Sequence, residues 1–558
     1  MNYDLVLKNI NYLDVKSKSF KTGDIAIKDN LIADISKDLH GTKEILCTDK
    51  YLVPGFIDSH IHLESSIINP VDFAKMVSLH GTTAVVTDPH EIANVCGKSG
   101  IKWMIEKTKN LPIDVYIMIS SCVPASPFDE SAFNLDSKDV EDCFNLDTTG
   151  RILGLAEMMN YPGVINKDPE VLAKINLTKQ KGLKVDGHAP GLLGEDFEKY
   201  ISAGIESDHE CRTLAEAQEK LDIAKKLGKE FYIMIRQGTA AKNLEALYQL
   251  INNPEYKERV TFATDDKHPE EIYEDGHIDS IIRKAIKLGV SPIDAYITAS
   301  YNAAKYFGLT NLGSIDIGKK ANFILLSNIE ECTIEEVYKE GKLITEEKLT
   351  NWNENKLPEE LEQQVRNCIN MQPVTKDNFY CKGIPKRVIG LVPGELITTD
   401  EGQVTDYDLE NDIIKIVVIE PHKGTMHTGI CYLKGLGLTS GAIGTTVAHD
   451  SHYCIIAGTN DEDIALVANE IRKMQGGKIV VRNGEILASL PLPIANLMTD
   501  ENPMKVIETM KQMKERASIT NKQVDPFMNL SFVSLAVIGD VRLLPGGVFN
   551  NKEWKFEQ

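Results

Sequence analysis

Eight short apolar segments recur between residues 55 and 311: GFIDSHIH, TTAVVTDPHE, DVYIMISSCVP, ILGLAEMM, LKVDGHAP, GIESDHE, EFYIMIRQG and VTFATDD. Between them lie stretches with helical spacing, such as NPVDFAKMVSLHG, LLGEDFEKYISAG and LAEAQEKLDIAKKLG, each closed by a glycine where a helix ends. Strands alternating with helices build a parallel sheet, because a crossover must carry the chain back before the next strand can start. Eight such units over about 250 residues match a (β/α)8 barrel of the TIM type. A doubly wound open sheet is the alternative, since periodicity does not report closure.

The 558 residues exceed what one core organises, so several domains are expected. Residues 1–54 read as short β segments (YDLVLKNINYLD, GDIAIKDNLIADIS, KEILCTDKYLVPG), and the same texture returns at 312–345. The chain therefore leaves a small composite β domain, traverses the barrel and comes back. Residues 346–380 are polar with one helical run and read as a linker. A separate C-terminal α/β domain follows from 381 to 558. Its expected strands include DIIKIVVIE, GAIGTTVAH, YCIIAGT and GKIVVRNGEI, and DEDIALVANEIRKMQG is its expected helix.

A net charge of −21 argues against a nucleic-acid partner, whose phosphates require clustered Lys and Arg. It suits a small neutral or cationic ligand. No apolar run approaches the ~20 residues that span a bilayer, and the N-terminal residues lack the pattern of a secretory leader. The ten cysteines are scattered without close sequence pairs, so reduced thiols and a cytoplasmic location are expected.

Polar residues collect at the expected strand ends. In VPGFIDSHIHLESS, Asp58, His60, His62 and Glu64 stand at every second position, and residues two apart on a strand face the same way. The second strand ends in Asp88, His90 and Glu91, the fourth carries Glu157, the fifth ends in His188, the sixth in Asp208 and His209, and the eighth in Asp265 and Asp266. In a barrel these ends share one face, where active sites lie. Each residue alone also fits a hydrogen-bonded turn; the coincidence of His60, His62, Glu157, His188, His209 and Asp265 on five strands is the stronger signal. Imidazoles with carboxylates and no thiolate favour Zn²⁺, Fe²⁺ or Mn²⁺. Four histidines and two acids suffice for two ions with one carboxylate bridging them, and such a pair lowers the pKa of water enough for hydrolytic attack on an sp² carbon.

These motifs resemble the amidohydrolase superfamily, and more closely its bacterial-type adenine deaminases. The likeness rests on GFIDSHIHLESS, GTTAVVTDPHEIANV, GLAEMMNYPGV, DGHAPGL, SDHE, FATDD and the C-terminal GAIGTTVAHDSHY, and it covers essentially the whole chain. It implies conversion of adenine to hypoxanthine and ammonia in purine salvage at a two-metal centre, with manganese or iron and zinc as a further option. It implies His60, His62, Glu157, His188, His209 and Asp265 as metal ligands. Asp265 is also expected to move protons. Glu91 is expected to supply a ring-nitrogen proton, with His90 and Asp88 beside it. Arg236 is expected either to contact the purine or to form a buried ion pair. The small-molecule base is the expected partner, with no nucleic acid or membrane, and the chain is expected to form a homo-oligomer, a dimer.

Glu157 speaks for the adenine deaminase branch within the superfamily, with substrate contact in a one-metal site as the alternative. Dihydroorotase-like relatives bridge their metals with a carboxylated lysine on strand four, and this strand has no lysine there. Gln237 stands where the family leads one to expect an acid. His449, Asp450 and His452 are open to three readings: a lid, a second metal site or a polar turn. His40, His80, His268, His277, His422 and His427 are expected at the surface or in turns. Competing functions are a cyclic amidase, another nucleobase deaminase, or a catalytically silent scaffold, which should have lost its ligands.

Overall fold

The computed structural model describes residues 2–239, 241–393, 395 and 397–557. All eight apolar segments are strands: β1 (Phe56–Ile61), β2 (Thr82–Thr87), β3 (Asp114–Ile119), β4 (Ile152–Met158), β5 (Lys184–Gly187), β6 (Ser207–Asp208), β7 (Tyr232–Arg236) and β8 (Val260–Ala263). They run parallel in two arcs, one of β1 to β5 and one of β6 to β8. The arcs meet at both ends. Glu206 N donates to Val185 O at 2.9 Å, Asp265 N donates to His60 O at 2.9 Å, and His62 N donates to Asp265 O at 3.1 Å. The result is a curled parallel sheet. Ile57, Ala84, Val86, Met118, Ala156, Met234 and Ala263 form one buried cluster, while their chain neighbours Phe56, Val85, Ile117, Leu155, Ile233 and Phe262 belong to another. That alternation is the strand period of two, with both faces covered as in parallel sheets generally.

Two helices shape the strand ends. Helix α1 (Pro70–Leu79) is capped by Asn69, whose side chain accepts from Val71 N and Asp72 N, and His80 closes it. Helix α2 (His90–Lys107) starts two residues beyond β2, so His90 and Glu91 form its first turn. It kinks at Gly97, where φ is +58° and a Cβ would stand 2.7 Å from the Phe133 ring.

The flanks pair as the β-rich texture suggests. Tyr51–Pro54 lies between Phe323–Asn328 and Tyr3–Asp14 in an eight-stranded sheet drawn from both ends of the middle region. Beyond residue 380 a second eight-stranded sheet contains Ile413–Ile419, Ala442–Thr445, Cys454–Gly458 and Gly477–Arg482, with helix Asp461–Met474 packed against it. Its strands Lys386–Leu391, Thr398–Val404 and Thr428–Lys434, and the helix Pro503–Arg516, lie beyond the sequence reading.

Two features depart from expectation. Residues 346–380 are anchored rather than free: Leu361 and Val365 are buried, and Trp103 Nε1 donates to Glu362 Oε2 at 3.1 Å. Three of the histidines assigned to surfaces or turns are held inside: His277 and His268 are buried, and half-buried His422 is hydrogen-bonded through both ring nitrogens. Cys96 and Cys368, distant in sequence, bring their sulfurs to 3.5 Å. Among the described residues no helix is long and apolar enough to cross a membrane.

Candidate metal centre and active site

The curl gathers the strand ends at one cavity of about 330 Å³. On β1, His60 and His62 stand with ring centroids 4.8 Å apart and planes at 88°, and His60 stacks on His209 at 4.2 Å. Asp265 follows β8 with φ of +59°. Its backbone is clamped to β1 on both sides of the residue, so its carboxylate is aimed at the two β1 histidines. Oδ1 lies 3.2 Å from His62 Nε2 and 3.7 Å from His60 Nε2, while Oδ2 takes Arg236 Nη1 at 2.5 Å.

Glu157, the last residue but one of β4, sits at the centre. Its Oε1 faces His62 Nε2 at 3.4 Å and His60 Nε2 at 3.9 Å; its Oε2 faces His188 Nδ1 at 2.7 Å and His209 Nε2 at 3.1 Å. One oxygen thus serves the β1 pair and the other the β5–β6 pair. Burial pushes Glu157 upward, but the His209 and His188 imidazoles hold it well below the usual carboxylate range. Asp265 behaves alike: burial opposes ionisation, and Arg236 overrides it. His60 is pushed down to about 4 by burial and then by His209. A neutral imidazole beside ionised carboxylates is donor chemistry that suits a divalent cation.

The donor chemistry fits divalent metal. Among the described residues His60 Nε2 is buried without a hydrogen-bond partner, and sets of three or four ligand atoms, including His60–His62–Asp265 and His60–Glu157–His209, lie within 4.8 Å of one another. His62 Nδ1 lies 3.0 Å from the Asp88 carbonyl, to which it donates when Nε2 is kept free for the cluster. Such outer contacts fix the tautomer of metal-binding histidines. Asn243 Nδ2 donates to His209 O at 3.1 Å and steadies that loop.

The remaining candidates divide by position. His90, Glu91, Arg236 and Asp266 line the cavity. Asp88 does not: Oδ1 accepts from Ser120 Oγ at 3.1 Å and Oδ2 lies 3.0 Å from His90 Nδ1, so it orients His90 rather than meeting a ligand. Arg236 realises the ion-pair reading, bridging Asp265 and Glu210. Asp58 ties β1 to the end of β8 by accepting from Thr264 N and Oγ1, and Glu64 Oε1 accepts from Ile92 N at 3.1 Å. Asp208 is fully buried and paired with Lys220 at 2.8 Å. Gln237 lines a neighbouring cavity with Lys242, Lys267 and Lys284.

Glu210 escaped the sequence reading; it lies 3.6 Å from His188 and from His209, and SDHE carried it in plain view as one more turn acid. A whole wall also escaped it. Glu395, Ile397, Phe532, Leu535, Val537 and Ile538, all from the C-terminal region, close the cavity together with His449 and Asp450.

Residues 51–344 match the amidohydrolase family, and residues 394–555 match the adenine deaminase C-terminal domain. An adenine deaminase of Clostridium acetobutylicum is 39% identical over 99% of this chain and 97% of its own; one of Nitratidesulfovibrio vulgaris is 38% identical over 99% and 96%. A crystal structure of an adenine deaminase aligns over 62% of this chain and 100% of its own, with a TM-score of 0.46 and 18% identity. The chain belongs to the amidohydrolase family, a class of metal-dependent hydrolases built on a curled parallel sheet. Within that family it is a member of the adenine deaminase group.

Proposed function

We propose that the chain hydrolyses adenine to hypoxanthine and ammonia, as the names of its full-length relatives indicate, at a centre holding two divalent ions. The observation that carries this reading is Glu157, whose two oxygens face two separate histidine pairs. His60, His62 and Asp265 would hold one ion and His188 and His209 the other, with Glu157 within reach of both. Mn²⁺ or Fe²⁺ suits this nitrogen and oxygen set, with Zn²⁺ as the alternative. Bound there, the ions would supply an activated water as nucleophile at neutral pH. In the architecture we favour, β1 to β8 form one closed (β/α)8 barrel spanning 55–311. A composite β domain (1–54 with 312–345), a connecting segment (346–380) and a C-terminal α/β domain (381–558) surround it.

The protein's own groups do the rest. Arg236 holds Asp265 ionised and leaves Oδ1 toward the reaction centre. Asp265 takes the proton of the nucleophile and delivers it to the departing amine, which cannot leave as an anion. A second proton must reach a ring nitrogen as C6 becomes tetrahedral. His90 belongs to the wall that faces the base, with Asp88 holding its ring. The apolar wall of Phe532, Leu535 and Val537 suits a flat heteroaromatic base and excludes water.

The test is ammonia release by Mn²⁺-loaded protein from adenine, adenosine, guanine, cytosine and dihydroorotate. The expected result is turnover of adenine at least about 100-fold above the others in kcat/KM, the scale that unpaired polar groups impose on a wrong substrate. Preference for dihydroorotate, or no adenine turnover at full metal loading, overturns the assignment.

A further inference from the structure

Glu91, in the first turn of α2, is not free to meet a substrate. The segment Ala448–His452 reaches over it from the C-terminal region and engages both carboxylate oxygens. His449 Nδ1 lies 2.6 Å from Oε1, and His452 Nε2 lies 2.6 Å from Oε2 as an ion-pair contact off the line of a well-formed hydrogen bond. The Glu91 side chain is 2% exposed. His452 Nδ1 accepts from Ala448 N at 3.3 Å, so its N–H is the one turned to Glu91, and His452 is a brace.

His449 is built differently. Its Nδ1 is taken by Glu91, and its ring stacks on Phe532 with centroids 4.4 Å apart and planes at 20°. The ring borders the cavity, and Nε2 has no hydrogen bond among the described residues. A carboxylate that holds Nδ1–H fixes the imidazole and leaves Nε2 as the working nitrogen, the logic of carboxylate–histidine pairs in hydrolases.

The geometry points to His449 as a catalytic residue that meets the purine ring through Nε2, with Glu91 as the positioning residue that aims it. The inference rests on the adenine deaminase reading and deepens it. In the reaction, a C6–O bond forms from water and the C6–N bond to the exocyclic amine breaks. One proton of the water leaves with ammonia. His449 gives its Nε2 proton to a ring nitrogen and recovers the other proton of the water, so the product lactam carries one N–H and the histidine is unchanged. Burial would strip the proton from His449, but the Glu91 carboxylate reverses this and raises it to about 9, which keeps Nε2–H available at neutral pH. The C-terminal region is then part of the active site in chemistry as well as in shape.

The experiment compares Mn²⁺-loaded wild type with His449→Gln, His449→Gly, Glu91→Gln and the double variant His449→Gly/Glu91→Gln, reading kcat, KM, bound metal and rescue by free imidazole. Loss of a general acid predicts kcat lower by about 100-fold or more in both His449 variants, with metal content unchanged. Imidazole should restore part of the rate to His449→Gly, and Glu91→Gln should add no further loss in that background. Retention of kcat within about 3-fold in His449→Gln at full metal content overturns the inference, because a proton donor of this kind contributes far more. So does a further drop on adding Glu91→Gln to His449→Gly. Absence of adenine turnover in the wild type instead strikes the proposed function itself, so the two failures are distinct.

Discussion

His60 and His62 are two residues apart on β1, which is enough to place both rings on one side and not enough to say what they face. The partner is decided by Asp265, whose backbone β1 grips on both sides, and by Glu157 rising from β4 between two histidine pairs. Asp88 extends the same arrangement: its carbonyl holds His62 and its carboxylate holds His90. Asp88→Asn leaves the backbone contact to His62 intact and weakens the hold on His90. We expect kcat for adenine to fall about 10- to 100-fold with bound metal unchanged, the scale on which losing the partner that orients a functional side chain acts; kinetics with parallel metal analysis checks it. At this scale the sequence was informative where a residue type carries its chemistry alone, as an acid inside ILGLAEMM does. It was silent where identity depends on a neighbour brought in by folding. Glu210 reads as a turn acid until His188, His209 and Arg236 surround it, and Asp88 reads as a companion of the proton donor until Ser120 and His90 claim its oxygens.

Elements show the same division. The eight strands announce themselves because each is a compact apolar run ended by turn residues, yet β6 is only two residues long, and a neighbouring helix adds to the hold of its pairing with β7. Helix Leu214–Lys226 supplies Lys220, whose ammonium donates to Asp208 Oδ2 at 2.8 Å, Glu216 Oε1 at 2.8 Å and Ala189 O at 2.7 Å, with Lys220 and Asp208 wholly buried. Burial would raise Asp208, but Lys220 holds it far below the usual carboxylate range. A depressed carboxylate stabilises the fold above its unfolded pKa of about 4, and that contribution is lost as the pH falls through the lower folded value. Lys220→Met strands two carboxylates, so we expect a loss of about 3–5 kcal/mol at pH 7 by urea unfolding. The penalty should shrink as the pH falls below about 4, where protonation relieves the unpaired acids. No periodicity in the sequence pairs residue 208 with residue 220; that pairing exists only once the helix docks.

For the whole molecule, the division into middle region and flanks could be read because chain texture changes at each border, whereas the way the parts join could not. One continuous hydrophobic cluster runs from one face of β1–β5, β7 and β8 through Leu361 and Val365 to Ile414, Leu497 and Val533. The C-terminal region thus shares the core and lends the cavity one wall, a relation that rests on contacts hundreds of residues apart and leaves no local trace. The central claim joins all three scales: we propose that adenine is deaminated where Glu157, between two histidine pairs, would help to hold two divalent ions. Its most direct test is titration of metal-free protein with Mn²⁺, following bound metal and ammonia release from adenine together in wild type and Glu157→Gln. The account predicts that wild-type activity saturates at two ions per chain, and that Glu157→Gln holds about one ion and loses adenine turnover by about 100-fold or more. Full wild-type activity with a single ion, or a Glu157→Gln protein that keeps both ions and its rate, would contradict it.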